Sequence, residues 1–369
     1  MHLAFVIHSL GNGGAERVTT NLANYWAERG WRITIVTLAG REQDFYALHP
    51  GVRRVALALA GESRGMAGGV VQNLQRIRAL RRVLRAERPD VALAMMSTAN
   101  VLLAWAAAGL RLRRCGSERV HPPQLPLGRG WESLRRVSYG RLDAVAALTA
   151  KSAAWIKAHT RARRVSVIPN AVAWPLSEQA PFLSPLSVLP GMRRVLLAVG
   201  RLTPQKGFDV LIATFAQLAG SFPDWDLVII GEGEQRPALE QAAARTGLRG
   251  RVHLPGRAGN LATWYARADL YVMTSRFEGF PNSLAEAMAH GLPAVSFDCD
   301  TGPRDIIRHD VDGLLVPAQD PAALNEALGR LMGDAMLRAR LAARAVEVRE
   351  RFSLNRIAAL WEELFRDLA

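Results

Sequence analysis

One alternation organises this 369-residue chain: an apolar run of strand length, then a segment of helix length, repeated twice over. The first series has runs at residues 3–9, 32–38, 52–57, 91–95, 145–149 and 165–168. Alternation of this kind predicts parallel strands in a doubly wound α/β sheet. Residues 171–193 break the pattern with Pro175, Pro181, Pro185, Pro190 and several serines, and read as an interdomain linker. A second series follows, with strands expected at 194–199, 227–230, 252–254, 270–274, 294–297 and 313–316, and helices at 208–218, 237–246 and 322–332. The last segment, 353–368, places Ile357, Leu360, Trp361, Leu364 and Phe365 on one helical stripe. The expected organisation is a first domain over 1–182, a second over 183–352 and a terminal helix over 353–369.

Composition narrows the setting. Cys115 and Cys299 stand far apart, which argues against a disulfide scaffold and fits a reducing compartment. The opening residues lack a basic flank and read as a buried strand, not a signal peptide. Residues 91–110 carry no charge. Polar Ser97, Thr98 and Asn100 interrupt them, so a strand, a capped turn and a core helix are expected rather than a membrane span. The net charge is +15 over residues 1–185 and −1 over the rest. An anionic partner for the first half follows: membrane headgroups, a phosphorylated acceptor or nucleic acid. The predicted helix 70–88 bears Arg76, Arg78, Arg81, Arg82, Arg85 and Arg88 beside an apolar stripe, which suits an anionic membrane surface. Trp131, Arg135, Arg136, Tyr139 and Arg141 form a second basic and aromatic stretch for the same surface.

Several strand ends carry chemistry. The first turn, Ser9 to Arg17, includes Gly13 and Gly14 ahead of a helix, so that backbone amides can approach phosphate or sugar. It lacks the glycine register of a dinucleotide fold. Gly200-Arg201 and Lys206 follow the first strand of the second series, where α/β sheets bind ligands. A guanidinium fork and a mobile ammonium together suit a diphosphate. Gly231, at the next strand end, lets a flat base approach the backbone, with Arg257 bordering the same pocket.

Glu278 and Glu286 flank Pro281, which is expected in the first turn of a helix ending at Gly291. The helix N-terminus attracts anions, so the two carboxylates should grip neutral hydroxyls on either side of a diphosphate. Competing readings are a metal site, with Asp298-Cys299-Asp300 as a superficial ligand set, and a hydrolytic carboxylate pair.

With these residues in hand, the chain resembles the retaining glycosyltransferases of family 4 (glycosyl transferases group 1). The likeness is carried by Gly200-Arg201 with Lys206-Gly207, Gly231-Glu232-Gly233, Ser275, Glu278-Gly279-Phe280-Pro281 through Glu286-Ala287-Met288-Ala289, Gly291-Leu292-Pro293, and Gly13-Gly14-Ala15-Glu16-Arg17. The resemblance implies a GT-B fold, with two Rossmann-like domains facing a cleft and the terminal helix packing back on the first. It implies a nucleotide-sugar donor in the second domain and an acceptor in the first. Arg201 and Lys206 would neutralise the diphosphate, Glu286 would hold the ribose and Glu278 the donor sugar. Gly13 and Gly14 would approach the donor phosphate. Gly200, Gly231, Arg257, Ser275, Gly279, Phe280, Pro281, Asn282 and Leu284 would complete the donor site, with no cofactor and no metal. His121 is the candidate histidine from the first domain, and His8 a weaker one.

Ser117-Glu118-Arg119 with Pro122, Leu134-Arg135-Arg136 with Tyr139, and Thr301-Gly302-Pro303 look like a subgroup that acts on polyprenyl-diphosphate-linked glycans in bacteria. Asp300 and His121 depart from its pattern. The expectation is therefore transfer of a hexose or N-acetylhexosamine, with a UDP-sugar favoured, to a lipid-linked glycan. The enzyme would lie on the cytoplasmic face of the bacterial membrane, held there by its basic first domain. A GDP-mannose-dependent mannosyltransferase, a GT-B sugar-nucleotide epimerase or phosphorylase, and a basic nucleic-acid-binding protein are the alternatives. The sharp motifs favour a diphosphate over nucleic acid.

Overall fold

The computed structural model describes residues 1–11, 13–61, 65–189 and 191–368. Asn12 of the first glycine turn and Pro190 of the linker fall outside that set. The first series folds into seven strands: β1 (His2–Ile7), β2 (Arg32–Thr37), β3 (Val52–Ala56), β4 (Val91–Met95), β5 (Arg113–Glu118), β6 (Ala144–Ala147) and β7 (Val165–Val167). The second gives β8 (Arg194–Val199), β9 (Trp225–Ile230), β10 (Val252–Gly256), β11 (Leu270–Met273), β12 (Ala294–Asp298) and β13 (Leu314–Pro317). The sheet orders are β3-β2-β1-β4-β5-β6-β7 and β10-β9-β8-β11-β12-β13. Every pairing within both is parallel. Strand order reverses between β1 and β4 in one sheet and between β8 and β11 in the other. Those reversals open crevices at the carboxyl ends of the strands.

The strand β5 was not expected from its sequence. Arg113-Arg114-Cys115-Gly116-Ser117-Glu118 lacks β-branched residues and opens on two cations. Arg114 is neutralised by Asp143 at 2.7 Å. Ser117 is fully buried, its amide satisfied by Asn100 Oδ1 at 3.0 Å. The uncharged stretch resolves as expected into β4 and a buried helix, Ser97–Ala106. The capped turn does not form. Met96 occupies the cap with φ +82, and the Ser97 hydroxyl donates to Glu118 Oε2 at 2.7 Å.

The chain divides into two compact units, residues 1–171 with 354–369, and residues 172–353. The early part of the proline-rich stretch therefore belongs to the second unit. Val172 N donates to Phe352 O at 2.8 Å, Gly259 N to Pro181 O at 2.7 Å and Leu183 N to Asn260 Oδ1 at 2.9 Å. Prolines cannot extend a ladder, but the remaining amides and carbonyls find loop partners. The terminal helix Leu354–Arg366 packs in the first unit. Its Trp361 and Phe365 are buried, Phe365 meets Trp26 with ring centroids 5.9 Å apart, and Trp26 Nε1 donates to Glu362 Oε1 at 2.8 Å.

Candidate active site

In the second unit the candidate donor-site residues stand at the carboxyl edge of the sheet, on the loops after β8, β9, β10 and β11 and on helix Asn282–Ala289 that follows β11, whereas Gly291-Leu292-Pro293 lead into β12. The β8 and β11 loops flank the strand-order reversal and are laced together. Thr274 Oγ1 donates to Lys206 O at 2.9 Å, Gln205 Nε2 to Phe277 O at 2.9 Å, and Arg276 N to Gln205 O at 2.8 Å. Gly207 lies at φ +65, in the left-handed region, and a Cβ there would sit 2.3 Å from Thr274 O. Only glycine lets the loops approach so closely.

That lacing places two groups together which the sequence reading had treated separately. Lys206 Nζ lies 2.5 Å from Glu278 Oε1, and Ser275 Oγ donates to the same oxygen at 2.7 Å. Glu278 is 8% exposed. Its Oε2 has no hydrogen-bond partner among the described residues. One carboxylate oxygen is thus spent on fixing Lys206, and the other remains an acceptor. The ammonium keeps further donors for an anion. Arg201 is exposed and forms no ion pair among the described residues.

Glu286 lies within helix Asn282–Ala289, 3% exposed, and accepts from Tyr265 OH at 3.3 Å. Pro281 is the cap of this helix rather than part of its first turn, and it offers no side-chain acceptor to the helix. The loop after β12 holds the cap in place. Thr301 Oγ1 donates to Glu278 O, and Gly302, at φ +98, packs where a Cβ would meet Pro281 Cδ at 2.6 Å. Tyr271 OH donates to Ser283 Oγ at 2.9 Å, tying β11 to the same helix. The Tyr271 hydroxyl is pushed up by burial, and by the charges of Glu278 and Glu286. Phe280 and Leu284 are buried, Phe280 against Phe352 with centroids 5.3 Å apart, so their side chains anchor the helix instead of lining the site.

The fold itself explains Gly231. A Cβ there would lie 1.8 Å from Gly200 O, so the glycine is needed for the β8 and β9 loops to cross. Arg257 is exposed after β10. Asp298 is paired with Arg304 at 2.8 Å, and burial pushes the Cys299 thiol up to about 12. Among the described residues no three His, Cys, Asp or Glu side chains group as metal ligands.

In the first unit, Gly13 caps helix Gly14–Glu28 in extended backbone, where any residue fits. A Cβ on it would meet only the movable carboxylate of Glu16. His8 is exposed at the end of β1. His121 is buried, with Nδ1 3.0 Å from Ser152 Oγ. Arg135 and Tyr139 are buried as well and Trp131 is half-buried, so of the second basic and aromatic stretch Arg136 and Arg141 are the exposed members. Arg135 lies over Trp155 at 4.7 Å, and Tyr139 OH donates to Glu118. The basic helix, Gly65–Glu87, turns Arg76 and Arg81 inward onto backbone carbonyls. It exposes Val71, Leu74, Arg78, Arg82 and Arg85, which share one helical stripe. No helix among the described residues is long and apolar enough to cross a membrane.

Residues 193–334 match the family model described as glycosyl transferases group 1, and residues 12–173 match that described as Glycosyltransferase Family 4. The chain is 26% identical to the Campylobacter jejuni N-acetyl-D-galactosaminyltransferase that acts on a diNAcBac-PP-undecaprenol-linked glycan, over 100% of this chain and 99% of that one. It is 36% identical to an exopolysaccharide phosphotransferase of Streptomyces coelicolor over 78% of its own length, but spans only 30% of that longer protein. Anabaena HepE, solved in complex with UDP, superposes with a TM-score of 0.80 at 22% identity, over 100% of both chains, and shows the same fold. The chain belongs to the glycosyltransferases of family 4, with two Rossmann-like domains of the GT-B class.

Proposed function

We propose that this glycosyltransferase moves a hexose or N-acetylhexosamine from a UDP-sugar to a polyprenyl-diphosphate-linked glycan in bacterial glycan assembly, with retention of anomeric configuration. The observation that carries the donor half is the Lys206–Glu278 pair at 2.5 Å, with Glu278 Oε2 left open. A sugar diphosphate matches it part by part. The diphosphate meets Lys206, Arg201 and the amino end of helix Asn282–Ala289, while sugar hydroxyls meet Glu278 Oε2. Glu286 holds the ribose hydroxyls. These fixed positive groups would stabilise the leaving UDP as its charge develops, without a metal. His121, buried beside Ser152, is the candidate histidine of the first domain.

Support for a lipid-linked acceptor comes from the activity of the Campylobacter relative, which the chain matches over 99% of its length. UDP is favoured by the complex of HepE. The stripe Val71, Leu74, Arg78, Arg82 and Arg85 pairs aliphatic groups with cations, as a helix resting on anionic headgroups needs. The enzyme would then work on the cytoplasmic face of the membrane.

A thermal-shift panel of UDP, GDP and ADP tests the donor. UDP at about one hundred times its dissociation constant should stabilise the second unit by about 2.7 kcal/mol, raising Tm by about 5–10 °C. If none of the three nucleotides moves the transition, the donor assignment falls. Glu286→Gln should raise the donor KM about tenfold with kcat little changed, because a charge-assisted hydrogen bond to ribose is made in both ground and transition states. A fall in kcat at constant KM would move Glu286 from ribose to the reacting sugar.

A further inference from the structure

The first unit contains a second built site. Its cavity, about 50 Å³, is lined by Met96, Ser97, Thr98, Glu118, Val120, Pro122, Leu125 and Leu127, at the carboxyl ends of β4 and β5. Three features separate it from ordinary packing. First, Glu118 is 3% exposed and has no ion pair among the described residues. Its carboxylate is held by the neutral hydroxyls of Tyr139 and Ser97, the latter at 2.7 Å. A buried carboxylate is costly without a partner, and two hydrogen bonds leave acceptor positions on it unused. Burial pushes its carboxyl up. Second, Met96 holds φ +82 and ψ 152, a conformation that costs a side-chain-bearing residue about 1–3 kcal/mol and gathers at functional sites. Third, the rest of the wall is aliphatic, apart from the hydroxyls of Ser97 and Thr98.

A ligand for this cavity must bring one hydrogen-bond donor to Glu118 and an apolar group to Val120, Pro122, Leu125 and Leu127. An acetamido group does both, through its N–H and its methyl. A plain sugar hydroxyl satisfies the carboxylate but leaves the aliphatic wall against a polar, hydrated face. A cavity of about 50 Å³ takes a small substituent such as this one and leaves the sugar ring outside the mouth. We propose that this cavity receives the acetamido group of an N-acetylhexosamine in the acceptor glycan, and so selects acceptors by that group. The assignment deepens the acceptor half of the proposed function and rests on it.

Saturation-transfer NMR with methyl N-acetyl-α-galactosaminide and methyl α-galactoside, each added to the full chain, tests it. The acetamido methyl should take the strongest saturation, and the plain galactoside should bind at least tenfold more weakly. Glu118→Gln should weaken binding of the acetamido sugar. It also disturbs a buried network, so Leu125→Trp, made from a residue 47% exposed at the rim, is the second variant. It should fill the mouth and abolish the methyl signal while the thermal shift with UDP stays as in the unaltered chain. Equal saturation of the two glycosides, or a Leu125→Trp protein that still saturates the methyl, overturns the proposal. Acetamido binding without any UDP shift would uphold the cavity and overturn the donor reading, so the two fail separately.

Discussion

Replacing Lys206 with alanine is expected to lower turnover by about two to three orders of magnitude, the effect of removing one preorganised donor from a developing negative charge. The structure adds a second consequence. Lys206 and Ser275 share Glu278 Oε1, and without the ammonium a largely buried carboxylate keeps only the serine. The single variant should therefore also lose stability, by about 1–3 kcal/mol given that the pair is partly exposed. Adding Glu278→Gln removes the stranded charge. The double variant should regain most of the thermal stability and none of the turnover. Steady-state kinetics beside thermal unfolding of the two proteins separates the roles. Turnover that recovers with stability would make the pair a structural strut, with no part in handling the leaving group.

The second large effect concerns a residue with no side chain. Gly207→Ala should destabilise the second unit by about 3–5 kcal/mol and lower its Tm by about 10 °C. The new methyl would start 2.3 Å from Thr274 O, at a backbone angle of φ +65 that alanine avoids. Relief requires the β11 loop to retreat, which pulls Ser275 and Glu278 from Lys206, so activity should fall even below the melting temperature. Gly220→Ala is the control, since a Cβ there meets nothing within 4 Å. Unfolding curves that match for the two substitutions would mean the loops have slack.

The sequence was most informative where burial and periodicity agree. The strands of the second unit and helix Phe208–Leu218 stand where apolar runs and helical spacing put them. It was silent where polar groups satisfy one another in the interior. The strand β5 looks like a charged loop because its neutralising partners, Asp143 and Asn100, lie 29 and 17 positions away. The same blindness affected the site. Lys206 and Glu278 were each recognisable as ligand-binding, but their union across 72 positions depends on the lacing of two loops. Tyr265 gave no signal, being one apolar-facing residue of a short helix, yet its hydroxyl meets Glu286. Thr301 was visible only inside a motif, and its service to the Glu278 carbonyl was not. Glycines were legible as glycines, but whether each serves a ligand or a chain crossing is decided by what a methyl would strike.

The terminal helix has a consequence for how the molecule is made. The first unit needs both the earliest and the latest residues of the chain, since Trp26 rests on Phe365 and bonds to Glu362. During synthesis Trp26 is made 336 residues ahead of Glu362. The second unit, continuous from 172 to 353, has all its strands in hand while the first still exposes a bare aromatic face. The second unit can thus finish folding before the first, and a nascent chain cut short before Leu354 would carry a complete second unit and a first unit that lacks its last wall.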